Sequence, residues 1–149
     1  MTHRGMVHAL EEIHRVLTPR GVLADLRPSR WADSRDRRAV LPRVYGVANG
    51  EEILVGRLEK ENLADHLAAD RAVQCVLRRG FFILQSTETF PFRFYFRTLA
   101  VLDDYLSTYW TNSTLSESTR RRLQSLVRER PSSQIAVVDT MRLNVMTKR

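Results

Sequence analysis

Apolar positions three and four apart open the chain. Val7, Leu10, Ile13 and Leu17 share one helical face, widened by Val16, and Glu11, Glu12 and Arg15 cover the other side. That spacing predicts a helix over 6–17. Thr18-Pro19-Arg20-Gly21 stops it, because proline cannot continue the amide ladder and glycine tolerates the turn. Val22-Leu23-Ala24-Asp25-Leu26 then reads as a short strand. Its apolar residues do not alternate cleanly, the pattern of a central strand covered on both faces. Arg27-Pro28-Ser29 ends it, and 29–42 reads as polar loop or irregular helix with Trp31 as a packing anchor.

Further along, 43–48 and 51–56 flank Asn49-Gly50, a dipeptide that favours the left-handed angles of a two-residue hairpin turn. This hairpin is expected to stand apart from the main sheet, able to cover a pocket or grip another subunit. A helix over 60–79 follows, with Leu63, Leu67, Val73, Val76 and Leu77 on its apolar side and Gly80 at its end. Residues 81–88 read as a strand that Pro91 interrupts as an edge, bend or bulge. Strand character resumes over 92–97: Phe92, Phe94 and Phe96 point to the core, and Arg93, Tyr95 and Arg97 point the other way.

Two helices fill the next stretch. The first, over 99–110, aligns Leu99, Leu102, Leu106 and Tyr109; the second follows Thr114-Leu115-Ser116-Glu117, which has capping-box spacing, and carries Leu123, Leu126 and Val127. After the loop Pro131-Ser132-Ser133, a strand over 134–147 pairs as an antiparallel couple with 81–97. The order helix, strand, hairpin, helix, strand, helix pair, strand is that of the end of an open α/β sheet.

Composition narrows the class. The chain has 149 residues, enough for one domain with a real core, and 43 % apolar with 28 % charged residues suits a globular protein. Its one cysteine, Cys75, lies in an apolar helical stretch and is expected to pack as a thiol, which suits a reducing compartment. With no apolar run of membrane-spanning length and no apolar signal core at the N-terminus, a cytoplasmic protein without a membrane partner is expected. The formal net charge of +7 is concentrated in Arg35-Asp36-Arg37-Arg38, Arg78-Arg79 and Arg120-Arg121-Arg122. A solvated face or a subunit contact accounts for each cluster, so nucleic acid is not the expected partner. The histidines, His3, His8, His14 and His66, include no pair with metal-ligand spacing, and no metal is expected.

Ala9-Leu10-Glu11-Glu12-Ile13-His14-Arg15-Val16-Leu17-Thr18-Pro19-Arg20-Gly21-Val22-Leu23 is similar to a segment of class I S-adenosylmethionine-dependent methyltransferases, the type 11-like members included. In that family a helix with an alanine-leucine, acid, isoleucine, arginine-valine-leucine run ends in proline-glycine-glycine and feeds the fifth strand. Arg20 stands where the family usually has the first glycine of the pair. The helix at 60–79 with Gly80-Phe81-Phe82 resembles the entry to strand six, and 134–147 resembles the antiparallel strand seven.

The resemblance implies an α/β fold: a single truncated domain over 1–149, the C-terminal portion of a Rossmann-like sheet, with an extra hairpin at 43–56 and a helical insertion at 98–130 before the last strand. The family builds its cofactor site upstream of such a segment, from a glycine-rich loop after strand one and an acid after strand two. No two of the six glycines here lie within three residues of each other. The lone chain is therefore expected to hold no cofactor, and to meet S-adenosylmethionine only if the missing half is supplied. A complementary N-terminal half or a second copy of the chain is the expected partner. A catalytic residue is not assigned. Asp25, Arg27 and Trp31, at or beyond the end of the presumed fifth strand, and Tyr95 are the candidates for a substrate pocket.

Overall fold

The computed structural model describes residues 3–30, 40–59 and 63–149. In chain order its elements are α1 (His3–Val16), β1 (Val22–Pro28), β2 (Arg43–Ala48), β3 (Glu51–Glu59), α2 (Leu63–Arg78), β4 (Phe82–Phe96), α3 (Leu99–Tyr109), β5 (Thr114–Leu115), α4 (Glu117–Glu129) and β6 (Gln134–Lys148). The six strands form one open antiparallel sheet in the order β1-β6-β2-β3-β5, with β4 also pairing with β6. The chain divides into two compact units: Met1–Ala39, Asn62–Phe90 and Met141–Arg149 make the first, and Val40–Glu61 and Pro91–Thr140 the second.

In the first unit, the apolar stripe of α1 does what its spacing predicts. Val7, Leu10, Ile13 and Leu17 pack with Leu23 against a core of Val73, Val76, Phe82 and Met146. The turn after α1 is tight: the Gly21 amide donates to the Thr18 carbonyl at 2.8 Å. A Cβ on Gly21 would lie 2.8 Å from that same oxygen, and Arg20 sits at φ 63, where a side chain is strained. Lys148 fastens the turn, its Nζ donating to the Leu17 carbonyl at 2.7 Å, a cation well placed at a helix C-terminus.

β1 pairs with β6 from Val22 opposite Thr147 to Pro28 opposite Met141. Opposed residues share a face. Leu23, Asp25 and Arg27 therefore lie with Met146, Asn144 and Arg142, on the side of Leu23 and Met146 that packs against the helices. Val22, Ala24 and Leu26 lie on the other side, and Val22 and Leu26 remain 59 % and 56 % exposed. β1 is thus the end strand of the sheet, covered on one face, where its apolar run had suggested a central strand covered on both.

In the second unit, Asn49 (φ 53) and Gly50 (φ 79) make the expected two-residue turn between β2 and β3. The hairpin is not separate from the sheet, as its sequence had suggested. β2 also pairs with β6, from Arg43 opposite Val138 to Val47 opposite Gln134, because this strand has an apolar face and a free edge to satisfy. Its core joins Val44, Val55 and Leu58 with Leu102, Leu106, Leu123, Leu126, Ile135, Val137 and Phe96. Gly56 lets α4 come close: a Cβ there would stand 2.1 Å from Thr119 Oγ1.

Three local readings change. The cap of α4 is Ser116, whose hydroxyl accepts from the Thr119 amide at 3.2 Å, and not Thr114, whose backbone is committed to pairing with Glu59. β4 passes through Pro91 as one strand; among the described residues β6 is its one strand neighbour, which leaves an edge there for a residue that cannot donate. Phe94 and Phe96 face the core as expected, whereas Phe92 is 46 % exposed and meets Phe94 edge-on at 4.8 Å between ring centroids.

Arg20→Gly should stabilise the protein by about 0.5–1 kcal/mol, relief of left-handed strain outweighing added chain freedom, seen as a higher urea midpoint. Gly56→Ala should cost more than about 2 kcal/mol from overpacking, and Thr119→Ala in the same chain should return much of it.

Candidate functional site

β1, β6 and α2 of the first unit bring a set of polar side chains together. The period of two places Asp25 and Arg27 on the same face of β1, and the register places Asn144 and Arg142 directly opposite them. Asp70 arrives from α2. Arg27 Nε donates to Asp25 Oδ2 at 3.0 Å, and Arg27 Nη1 reaches Asp70 Oδ1 at 2.8 Å. Arg142 Nη1 donates to the same Asp70 oxygen at 3.2 Å, and Arg142 Nη2 donates to Ser29 Oγ at 3.0 Å. Asn144 Nδ2 donates to Asp25 Oδ2 at 2.8 Å, and Thr87 Oγ1 donates to Asn144 Oδ1 at 3.0 Å.

Two carboxylates here meet two guanidiniums, so the group is electrically balanced. The four charged side chains are only 16–23 % exposed. At that depth removing one partner leaves a charge poorly solvated, which costs more than losing a surface pair. Oδ1 of Asp25 and Nη2 of Arg27 have no hydrogen-bond partner among the described residues.

These two residues also line a cleft of about 200 Å³ whose other walls are Met6, Ala9 and Leu10 of α1 and Ala69, Ala72 and Val73 of α2. Three of those wall residues are alanines, which is what leaves room between the helices. A larger cleft of about 610 Å³ beside α1 is lined by Arg4, Val7, His8, Glu11 and Arg79. It is less ordered chemically: Arg4 and His8 are exposed, while Arg79 pairs with Glu11 and covers the Phe81 ring at 5.0 Å. The smaller cleft, backed by the balanced network, is the candidate site.

Of the residues singled out in the sequence, Asp25 and Arg27 come together here. Tyr95 belongs to the second unit and is 56 % exposed, and Trp31 lies outside the described residues. Asp70, Arg142, Asn144, Thr87 and Ser29 were not singled out. Arg142 and Asn144 alternate with Met141, Leu143 and Val145 in the sequence, but their destination depends on the β1–β6 register, which no local pattern encodes.

Elsewhere the Arg120–Arg122 cluster is engaged within the protein. Arg120 grips Asp103 with two hydrogen bonds of 2.7 Å, a contact that holds its guanidinium protonated above its ordinary range. Arg121 pairs with Glu117 and Arg122 donates to the Val55 carbonyl. The Arg35–Arg38 cluster lies outside the described residues. His14 is held edge-on by Phe81 and Phe82, at 5.0 and 5.4 Å. Among the described residues no three histidine, cysteine or acidic side chains are grouped to hold a metal, and no helix is long and apolar enough to cross a membrane. Comparison of the chain with family models, with curated proteins and with solved structures finds no match.

Asp70→Asn should cost about 1–3 kcal/mol in urea unfolding, because two half-buried guanidiniums lose their shared counter-charge. Glu117→Gln, which breaks an exposed helical pair, should leave the midpoint unchanged. Equal effects would show that the network contributes no more than a surface contact.

Proposed function

We propose that this chain is the C-terminal portion of a class I S-adenosylmethionine-dependent methyltransferase-like domain, and that it neither binds the cofactor nor transfers methyl groups alone. The observation that carries the reading is the turn between α1 and β1. The motif over 9–23 resembles one in which two glycines end the helix. In this chain both positions make the demands that glycine meets: Arg20 has φ 63, and Gly21 has no space for a Cβ.

Two further features support it. The final strand, β6, is antiparallel to β1, as the resemblance implies for the last strand of the family's sheet. The uncovered face of β1, with Val22 and Leu26 exposed, lies on the strand at the end of the sheet. An unpaired strand edge next to an apolar face is a natural seat for further sheet. In this reading a complementary cofactor-binding half occupies it, and the second unit is the insertion that distinguishes this member. The same edge also favours a second reading, a non-catalytic domain that associates with its own copies. Sedimentation of the purified chain separates the two: a concentration-dependent dimer that Leu26→Lys abolishes supports self-association.

Calorimetric titration with S-adenosylmethionine tests the main reading. The chain alone should give no saturable heat up to millimolar ligand. Mixed with the polypeptide encoded directly upstream, it should bind. Micromolar binding by the chain alone overturns the proposal, and so does an upstream product without a strand and glycine-rich loop.

A further inference from the structure

We propose that the cleft between α1 and α2 binds a small neutral molecule with an apolar body and a polar end that both donates and accepts a hydrogen bond, a primary carboxamide or a hydroxyl. The polar requirement comes from the two residues of the network that line the cleft, Asp25 and Arg27, each of which keeps one polar atom without a partner among the described residues. Asp25 uses Oδ2 for both Arg27 and Asn144, which leaves Oδ1 as an acceptor. Arg27 uses Nε for Asp25 and Nη1 for Asp70, which leaves Nη2 as a donor. One residue separates these side chains on the same face of β1 and both line the cleft, so the acceptor and the donor come from neighbouring side chains. A carboxamide answers both: its N–H donates to the carboxylate and its carbonyl accepts from the guanidinium. A hydroxyl does the same with one oxygen. Such hydrogen bonds to charged groups are stronger than neutral ones.

Charge balance decides against ionic ligands. Asp25 and Asp70 already neutralise Arg27 and Arg142, in positions less than a quarter exposed. An ammonium or carboxylate brought in would add one uncompensated charge to a poorly solvated group. Size sets the body of the ligand. The cleft of about 200 Å³ falls below the roughly 300–1,000 Å³ of drug-sized sites, while a cavity of about 150 Å³ suffices for benzene. One six-membered ring, or a branched alkyl group of that bulk, fits against Met6, Leu10 and Val73. The inference is independent of the methyltransferase reading: the chain can take such a ligand without binding S-adenosylmethionine, and the reverse.

A matched series of ring compounds tests it: benzamide, phenol, toluene, benzylamine as its ammonium ion, and benzoate. Methyl signals of Ala69, Ala72 and Val73 in carbon-labelled protein report occupancy by nuclear magnetic resonance. Benzamide and phenol should shift them saturably in the millimolar range, with toluene, benzylammonium and benzoate at least tenfold weaker. Ala69→Leu should fill the cleft from α2 and abolish the shifts. Ala9→Leu should do so from α1, and it serves if the first variant fails to fold. No saturable shift with benzamide or phenol overturns the proposal. So does toluene binding equally well, which would mean that the walls alone act, or preference for either ion. Unchanged benzamide binding in a folded cleft-filling variant would place the ligand elsewhere and overturn it too.

Discussion

Everything in this sheet depends on β6. It is the one strand that β1, β2 and β4 all require as a hydrogen-bonding neighbour. Residues 134–138 serve β2, and 141–147 serve β1. The side chains of β6 follow the same division. Ile135, Ala136 and Val137 are buried in the second unit, and Met146 is buried in the first. A strand with partners on both edges must present a side chain to each face at every second residue, so its register fixes much else at once.

The candidate site is one product of that register. If β1 slipped by one residue, Asp25 and Arg27 would turn to the open face, and Val22, Ala24 and Leu26 would turn to the helices. As paired, the polar residues of both strands meet each other beneath α1 and α2, and Asp70 closes the charge balance from α2. Burying these charges is tolerable because each has a partner, and at the cleft the partners leave Asp25 Oδ1 and Arg27 Nη2 unused among the described residues. The apolar residues displaced to the other face are the counterpart of the same choice. The polar network and the exposed apolar face are two sides of one strand pairing.

The sequence shows some of this plainly and hides the rest for identifiable reasons. α1 and its stop are legible because a helical period and a Pro19–Gly21 turn are local signals. The turn at Asn49-Gly50 is legible for the same reason. That β2 joins β6 is not, since its partner lies far along the chain and Val44, Gly46 and Ala48 read alike whether the strand has one neighbour or two. The run from Val22 to Leu26 cannot say which of its faces is covered. Thr114 and Ser116 are both good caps, and only the pairing of Thr114 with Glu59 decides between them. Asp25 and Arg27 are legible as site candidates because they end a strand. Asp70, Arg142 and Asn144 are set by register and helix placement, which are properties of the folded sheet.

That β6 follows β1, β2 and β4 in the sequence has a consequence for biosynthesis. A ribosome releases β1, β2 and β4 long before the strand that pairs with all three. Until then their edges stay unmatched and the apolar residues of β2, β4 and β1 lack cover. Such edges can pair with a neighbouring nascent chain. The interval ends only when β6 itself has left the exit tunnel, so the time spent translating α3 to β6 sets how long the chain stays open to misassembly. Slow pairing between distant segments lengthens that exposure. A chaperone that holds extended apolar segments would find its client in this window, and a premature stop within β6 would leave the chain in it permanently.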